Sequence, residues 1–465
     1  MSRANDTITG QLVERVLSVT EDSLPPEAIE VARQVVLDGV SVMLAGNSEP
    51  VGIGRIVTDW TRDNGGTPDS SVVAGGFKVS PMSAAFANGT LGHALDYENI
   101  WHPRNHPMSP TMPAILALAE KYGFSGQRVL SAIVVGFEVN GRLRMASVGL
   151  DVGKGFHKPG TTGLFGSVAG CGWLLGLDDE ELAMALGVAG SRAGSIQINT
   201  GTMTKSSHSG HAARMGVECA ELVSRGWTGS KYVFDEGGFF DTFLGDRYEA
   251  ELLIKGFGDP FRMVDPGVGF KKYPCNFNTQ RAIDAALELR STYDIAPSNI
   301  AAIEIDEPPF AIIDRPQPET GLEGKFSLQY VTAAALLDGD VTIETFSNER
   351  RFASDMVELL PLIKVNYDDS IPQSTLEMFI RVRVTLKDGS TLEVVKEKIS
   401  GMVGVPLSRE ERLKKFFSCA TRVMSRARAE ETLAVIDNIS ELDTIDDLMK
   451  LISYVDGGSA IPKPT

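Results

Sequence analysis

The hydrophobic periodicity of the chain changes once, near Pro266, and this change limits the folds available to it. Before that point apolar residues recur at helical spacing, as in residues 24–46, where Pro25 and Pro26 are typical of a helix start. Beyond it, apolar and polar residues alternate over 376–386 and lead into a Lys-Asp-Gly turn, which is typical of a β-hairpin. The sequence therefore predicts a mainly helical protein with a smaller α+β part.

The same change of period gives the expected domain boundaries. We expect a large all-helical domain over residues 1–265, an α+β lid over residues 266–404, and a helical segment over residues 405–465 that returns to the first domain. Asp178 and Glu181 have the spacing of a capping box and predict the start of one helix. Many helical segments carry Ala and Gly where bundles usually carry Leu, which predicts close helix–helix contacts.

Charge and cysteine content restrict the partners and the compartment. The 465 residues include 44 Lys and Arg against 61 Asp and Glu, and the net charge of −17 disfavours nucleic acid and anionic membrane surfaces. A small molecule is therefore the expected partner.

The cysteines are Cys171, Cys219, Cys275 and Cys419, without a C-x-x-C pair, which favours a reducing compartment, and we expect the cytoplasm. Neither a secretion signal nor a run of roughly 18 apolar residues is present, so no membrane association is expected.

All six histidines lie between positions 93 and 211, and such a cluster indicates proton transfer or metal binding. In the first group, NGTLGHALDYENIWHPRNHPMSP, the proline after His102 and the proline after His106 exclude the helix that would align them as metal ligands. We therefore expect no metal, and a loop in which Asp96, Arg104 and His106 face a substrate. The alternative is a solvated connecting segment.

The second group is GKGFHKPGTTGLFGSVAG, which contains His157, Thr161 and Thr162. Hydroxyl groups and backbone N–H groups before an apolar helix suit a carboxylate, and Thr161 is a candidate for binding it. The segment has neither a phosphate-binding G-x-x-x-x-G-K-[ST] nor a G-x-G-x-x-G pattern, so no nucleotide cofactor is expected. The alternative is a glycine-rich packing turn.

The third group, TGTMTKSSHSGHAARMG, places Lys205, His208, His211 and Arg214 at helical offsets of three. A basic face on an acidic protein suits the capture of a small polycarboxylate, whose charges must be neutralised in a partly dry pocket. The alternative is a solvated basic helix face. Further candidates from the predicted lid are Lys271, Lys272, Tyr273, Lys325, Ser327 and Tyr330. A substrate-binding cleft between the two domains would be lined by residues of this third group and by residues of the lid.

Five segments, in this order and spacing, carry a family resemblance: NGTLGHALDYEN, GFHKPGTTGLFGSVAGCGWLLGLDDEELAMALGVAGSRAG, KSSHSGHAARMG, KKYPCNFNTQRAIDAAL and FSLQYVTAAAL. They resemble the MmgE/PrpD family, which includes 2-methylcitrate dehydratases, cis-aconitate decarboxylases and an iminodisuccinate epimerase. The resemblance implies a helical domain formed from both ends of the chain, an inserted α+β lid, a homodimer, and a site in the cleft without metal or cofactor.

Transferred position by position, the resemblance places the site at Asp96, His106, His157, Lys205, His208, Lys271 or Lys272, and Tyr330. We expect Lys205 and a lid lysine to neutralise carboxylates, and one of the histidines to move the proton. Asp96 is expected to orient a histidine or to bind a substrate hydroxyl, and Tyr330 to supply a second proton. The expected substrate-binding residues are Arg104, Thr161, Asn276, Lys271 and Lys272.

Two positions carry residues that differ from those common among members of the family. Ile100 stands where Thr is common, and Asn276 stands where the decarboxylases have His. The expected function is a metal-independent lyase, a dehydratase or decarboxylase, that moves a proton next to a carboxylate of a small di- or tricarboxylic acid. The alternatives are an epimerase or isomerase of a dicarboxylate such as iminodisuccinate, and a non-catalytic carboxylate-binding paralogue.

Overall fold

The structure is a computed structural model that describes residues 6–151, 155–374 and 376–454. The N-terminal part is mainly helical. Its helices are α1 (Ile8–Ser18), α2 (Pro26–Asn47), α3 (Ile53–Asn64), α4 (Pro81–Ala94), α5 (Met108–Tyr122), α6 (Gly126–Ala146), α7 (Leu164–Leu175), α8 (Asp179–Gly190), α9 (Thr204–Val223) and α10 (Phe239–Leu244). Two short strands, β1 (Ser70–Ser71) and β2 (Lys78–Val79), pair antiparallel.

The helix starts follow the local sequence signals. Helix α2 has Pro26 in its first turn, as the sequence predicts. Asp178 caps α8, because its side chain accepts from the backbone N–H of Glu181 at 2.9 Å and the Glu181 carboxylate accepts from the N–H of Asp178 at 3.0 Å. The predicted capping box is therefore confirmed.

Glycine brings α4 and α9 into close contact. A Cβ atom on Gly210 of α9 would lie 2.2 Å from Thr90 Oγ1 and 2.4 Å from the carbonyl oxygen of Phe86, so only glycine fits there. On the other helix, a Cβ atom on Gly89 would lie 3.0 Å from the Cα atom of Gly210. This contact sets the C-terminal turn of α4 beside the N-terminal part of α9, and both ends contribute to the site described below.

The α+β domain follows in the chain. Its helices are α11 (Gln280–Tyr293), α12 (Gly321–Gly324), α13 (Leu328–Asp338), α14 (Asn348–Arg351) and α15 (Ser354–Leu359). Its strands are β3 (Ile300–Glu307), β4 (Ile363–Tyr367), β5 (Ile380–Leu386) and β6 (Thr391–Lys396), in the sheet order β4-β3-β5-β6. Strand β3 runs parallel to β4 and antiparallel to β5, and β5 and β6 form the predicted hairpin.

The alternation along β5 has a physical cause. Ile380, Val382 and Val384 are fully buried in the core of this domain. Arg381 and Arg383 point to the opposite face, where the Arg381 guanidinium donates to Asp306 at 3.0 Å. Hydrophobic burial on one face and ion pairs on the other therefore fix the register of the sheet.

The C-terminal helices α16 (Arg409–Ala420), α17 (Arg426–Asp437) and α18 (Asp446–Ser453) pack against the N-terminal helices, and one apolar cluster unites residues from both ends of the chain. Lys415 of α16 forms a buried ion pair of 2.6 Å with Asp38 of α2. Its ammonium group also donates to the carbonyl oxygens of Tyr97 at 2.7 Å and Lys271 at 3.1 Å. Within the described ranges, no helix is both long and apolar enough to cross a membrane.

Candidate active site

A cavity of about 380 Å³ opens between the helical part and the α+β domain. The basic and imidazole side chains that line it are Arg104, His106, His157, Lys158, Lys205 and Lys271. Among the residues that the structure describes, no Asp or Glu lines this cavity. A cavity of this size and charge suits a small anionic molecule.

Asp96 lies behind this cationic surface and holds two lysines. It follows α4 in the left-handed backbone region, with φ of 49°, a conformation that Asp tolerates better than most residues. Its Oδ1 atom lies 3.0 Å from Lys205 Nζ and 3.1 Å from Lys271 Nζ. Burial opposes ionisation of Asp96, but the two ammonium groups lower its pKa well below the usual range. Asp96 is therefore an ionised anchor for both cations.

Glu98 bridges two imidazoles and is fully buried. Its Oε1 atom contacts His93 Nδ1, lies 3.1 Å from His106 Nδ1, and accepts from Ser109 Oγ at 3.1 Å. Burial opposes ionisation of Glu98, but His93 and His106 lower its pKa well below the usual range. An ionised carboxylate only accepts, so it favours a proton on Nδ1 of each ring and leaves Nε2 as the basic nitrogen.

The imidazoles form a contiguous row beside the cavity. The ring centroid of His93 lies 4.7 Å from that of His106 and 5.5 Å from that of His157, and His157 Nδ1 lies 3.0 Å from His208 Nδ1. Burial lowers the pKa of all four rings, to about 3 for His93 and to about 4 for His208. All four rings are therefore neutral near pH 7, the state that a general base requires.

The ligand atoms of four side chains lie within 4.8 Å of one another: His93, Asp96, Glu98 and His106. Such a group can hold a divalent cation. However, Lys205 Nζ contacts both His93 Nε2, at 2.8 Å, and Asp96 Oδ1, and Lys271 Nζ contacts the same carboxylate oxygen. Two ammonium groups already supply positive charge at these donors, so the donor set fits a lysine-filled site better than a metal site.

The structure brings most of the predicted site residues together. Those that line the cavity are Arg104, His106, His157, Lys205, Lys271 and Asn276. Asp96 and His208 lie directly behind them, in contact with Lys205 and His157 respectively. Of the two lysines that the sequence left open, the structure places Lys271 at the cavity.

Besides Asp96 and His208, three more predicted residues do not line the cavity. Lys272 Nζ lies 3.2 Å from Asp284 Oδ1, in a separate groove. The Tyr330 hydroxyl donates to the carbonyl oxygen of Thr345 inside the core of the α+β domain. Thr161 is fully buried, and its hydroxyl donates to the carbonyl oxygen of Gly194 at 2.5 Å and lies 3.1 Å from that of His157, so it supports the backbone around His157.

Two residues that contact the predicted site residues, His93 and Glu98, had no role predicted from the sequence. His93 was visible only as one of the six clustered histidines, and Glu98 only as a neighbour of Asp96 in the segment Asp-Tyr-Glu-Asn. The signal that could have found them is the density of ionisable residues between Gly92 and Trp101. Their burial, which makes the contacts strong, depends on the packing of α4 against α9.

Models of two family domains match the chain. The MmgE/PrpD N-terminal domain matches residues 10–251, and the MmgE/PrpD C-terminal domain matches residues 273–441. The chain belongs to the MmgE/PrpD family. The resemblance seen in the sequence and the predicted fold class, mainly α with a smaller α+β domain, are confirmed.

Curated relatives of this MmgE/PrpD enzyme include lyases of two kinds. Cis-aconitate decarboxylase from Mus musculus is 29% identical over 96% of this chain and 93% of its own length. Cis-aconitate decarboxylase from Homo sapiens is 32% identical over 81% of this chain and 80% of its own length. The 2-methylcitrate dehydratase from Cupriavidus necator is 26% identical over 83% of this chain and 82% of its own length.

Proposed function

We propose that this MmgE/PrpD enzyme is a metal-independent lyase that moves a proton at the carbon next to a carboxylate of a small di- or tricarboxylic acid. The observation that carries the proposal is the pair of ammonium groups, Lys205 and Lys271, which share Asp96 at the wall of the cavity. The names of the relatives, decarboxylase and dehydratase of tricarboxylic acids, support the same class of chemistry.

The two lysines address the main barrier to this chemistry. Removal of a proton beside a carboxylate places a second negative charge on an anion, which is very unfavourable in water. Lys205 and Lys271 neutralise the carboxylate and the charge that develops on it, in a site where burial reduces screening. Asp96 keeps both ammonium groups in position before the substrate arrives.

In the proposed mechanism His106 Nε2 takes the proton, because Glu98 favours a proton on Nδ1 of that ring. The electron pair of the C–H bond moves toward the carboxylate held by the lysines. In a dehydration, the C–O bond then breaks and the departing hydroxide takes the Nε2 proton of His157, so that water leaves. His157 stays neutral, because its Nδ1 receives a proton from His208 at the same time. His106 later releases its proton to solvent, and His208 takes one up from there.

In a decarboxylation no C–H bond breaks first. The C–C bond to one carboxylate breaks instead, CO₂ leaves, and the electron pair stays on the carbon beside the carboxylate held by the lysines. The carbanion then takes the Nε2 proton of His157, whose Nδ1 receives a proton from His208.

His208 supports the role of His157 as a proton donor. The two Nδ1 atoms are 3.0 Å apart, so one ring donates to the other. When His208 donates, the proton of His157 lies on Nε2. In this proposal His208 therefore orients His157 and replaces the proton that His157 gives away, and it does not contact the substrate.

The arrangement favours a lyase over the epimerase alternative. An epimerase needs an acid and a base on opposite faces of the substrate, and the second face was expected to use Tyr330. The titratable side chains that line the cavity lie between Arg104 and Lys271, and the Tyr330 hydroxyl is bonded to Thr345. The imidazoles that line the cavity are His106 and His157, whose ring centroids lie 6.4 Å apart, and proton carriers this close to each other suit elimination or decarboxylation.

We also propose that the protein forms a homodimer and that it acts in the cytoplasm, as expected from the sequence. The buried, unpaired state of Cys171, Cys219, Cys275 and Cys419 supports a reducing compartment. Size-exclusion chromatography with light scattering tests the dimer, and a monomer at micromolar concentration would contradict it.

The proposal is tested with the purified protein in D₂O and four separate acids: citrate, 2-methylcitrate, cis-aconitate and iminodisuccinate. A lyase releases CO₂ or forms an unsaturated acid that absorbs in the far ultraviolet. An epimerase incorporates deuterium at an inverted carbon without loss of CO₂ or water, and a binding paralogue does neither. We expect lyase products from at least one tricarboxylic acid.

Three variants sharpen this test. Lys205→Ala and His157→Ala are expected to lose turnover by about 10²-fold or more, because each removes a charge or a proton donor at the reacting carbon. His211→Ala is the matched control, because His211 lies on the same helix as Lys205 and does not line the cavity. Unchanged turnover in the first two variants, or binding without turnover or exchange, would contradict the proposed function.

A further inference from the structure

The two walls of the cavity differ in charge. Every described lining residue after position 271 is uncharged. Two of these residues are the amides Asn276 and Asn278, and the others are Phe277, Pro309, Phe310, Ala311, Ile312 and Phe326. The cations thus come from residues up to Lys271, and the part of the α+β domain that follows Lys271 presents a largely apolar surface.

Ile100 extends this apolar surface to the junction of the two domains. Ile100 is 6% exposed and belongs to one apolar cluster with Phe277, Met402 and Val403. Its backbone N–H donates to the carbonyl oxygen of Gly269 at 2.7 Å, and the N–H of Gly269 donates back at 3.1 Å. Ile100 is therefore held in place by packing and by backbone pairing, so the apolar surface exists before a ligand binds.

The apolar rings lie directly beside the cations. The guanidinium carbon of Arg104 is 4.7 Å from the centre of the Phe310 ring, and Lys205 Nζ is 5.3 Å from the centre of the Phe326 ring. One small molecule in this cavity contacts both surfaces at once. Its carboxylates find cations only among the described lining residues up to Lys271.

The neutral wall is a poor place for a carboxylate. A carboxylate pressed against Phe and Ile side chains would lose water without gaining an ionic partner. An alkyl or aryl group at the same position would instead bury apolar surface on both sides. The wall therefore selects between acids that have the same carboxylates and differ in their third substituent.

We propose that the substrate of this site is a di- or tricarboxylate that carries an alkyl or aryl substituent larger than methyl, directed toward Ile100 and the neutral wall. This inference rests on the proposed function, since the carboxylates are placed by Lys205 and Lys271. It adds the chemical class of the group that the other wall accepts.

The test measures dissociation constants by calorimetry for succinate, 2-methylsuccinate, 2-propylsuccinate and 2-benzylsuccinate. We expect the dissociation constant to fall by about 10-fold or more from the methyl to the propyl compound, as apolar pockets gain affinity with each methylene. Ile100→Thr should remove most of that gain and leave the affinity for succinate within about twofold. Val395→Thr, on the exposed face of β6, is the matched control and should behave as the wild type.

The outcomes separate this inference from the proposed function. If affinity stays constant or falls with substituent size, while Lys205→Ala still weakens the binding of every acid, the substituent inference is wrong and the proposed function stands. If every acid binds equally to the wild type and to Lys205→Ala, or none binds, the carboxylate site itself is contradicted. A gain with size that Ile100→Thr does not reduce would also overturn the inference, because it would place the substituent elsewhere.

Discussion

Glu98 and His106 form the buried contact on which the orientation of the proposed base depends. Glu98 Oε1 lies 3.1 Å from His106 Nδ1, and the same oxygen contacts His93, which in turn contacts Lys205. One carboxylate therefore determines the proton positions of two rings and, through His93, the environment of a lysine. Such contacts behind a catalytic group usually matter nearly as much as the group itself.

Glu98→Gln is expected to lower kcat by about 10²-fold with a small change in KM, because an amide can donate to Nδ1 and favour the wrong tautomer of His106. The pH dependence of kcat should change as well, which loss of stability alone would not cause. Steady-state kinetics between pH 5 and 9 measure both effects. Ser109→Ala, which removes only one neutral donor to Glu98, serves as the control. A kcat within threefold of the wild type for Glu98→Gln would show that the tautomer is set by other contacts.

Lys271→Ala is expected to reduce kcat/KM by about 10²-fold or more, while Lys272→Ala should change it by less than about threefold. The two lysines are neighbours, but only Lys271 reaches Asp96 and the cavity, whereas Lys272 pairs with Asp284. Initial rates with the substrate found in the screen of acids measure the difference. The reverse order of effects would mean that the two side chains exchange positions when substrate binds.

The free energy of unfolding is expected to decrease as the pH falls from about 6.5 to about 4. Burial keeps His93 and His208 neutral in the folded protein down to pKa values of about 3 and about 4, whereas the unfolded chain takes up these protons near pH 6.5. The unfolded state then binds more protons, so each such histidine contributes up to about 1.4 kcal/mol of destabilisation per pH unit.

Urea denaturation at pH 7, 6 and 5 measures this slope for the first unfolding transition. His208→Gln should give a shallower slope than the wild type, because one of the depressed histidines is gone. A slope that is identical in the variant would indicate that His208 does not contribute to the acid sensitivity.

Activity is expected to withstand prolonged treatment with EDTA, followed by desalting into metal-free buffer. The proposed mechanism assigns charge stabilisation to Lys205 and Lys271, which occupy the donors that a metal would need. Turnover before and after treatment, with Mg²⁺ and Zn²⁺ added back, measures the effect. Reversible loss of activity that either ion restores would replace the lysine-based mechanism with a metal-based one.

Local patterns predicted much of the fold. The alternation along 376–386 predicted β5, and the Asp178–Glu181 spacing predicted the start of α8, because hydrophobic burial and helix capping act over a few residues. The prolines that follow His102 and His106 likewise predicted the irregular segment before α5. The parallel pairing of β3 with β4 was not predicted, since it joins strands that are far apart in the chain.

The site was predictable only in part, for reasons of geometry. We expected one face of the helix to carry Lys205, His208, His211 and Arg214. However, three residues complete less than one turn of an α-helix, so each further step of three residues moves around the helix axis. The positions therefore pass from buried Lys205 to exposed Arg214, which lies 3.7 Å from Glu218. Sequence alone could not distinguish Lys271 from Lys272. Adjacent side chains point in different directions, and the local backbone conformation decides which of them reaches the cavity.

The contacts of Lys415 have a consequence for the order of synthesis. Every residue assigned to the cavity is translated before position 330, yet the ammonium group that joins the carbonyl oxygens of Tyr97 and Lys271 arrives with α16. While the ribosome is still adding the last helices, the segment behind Asp96 lacks that tie and the negative charge of Asp38 is uncompensated by Lys415. A nascent chain would therefore acquire the complete set of contacts behind the cavity only near the end of translation.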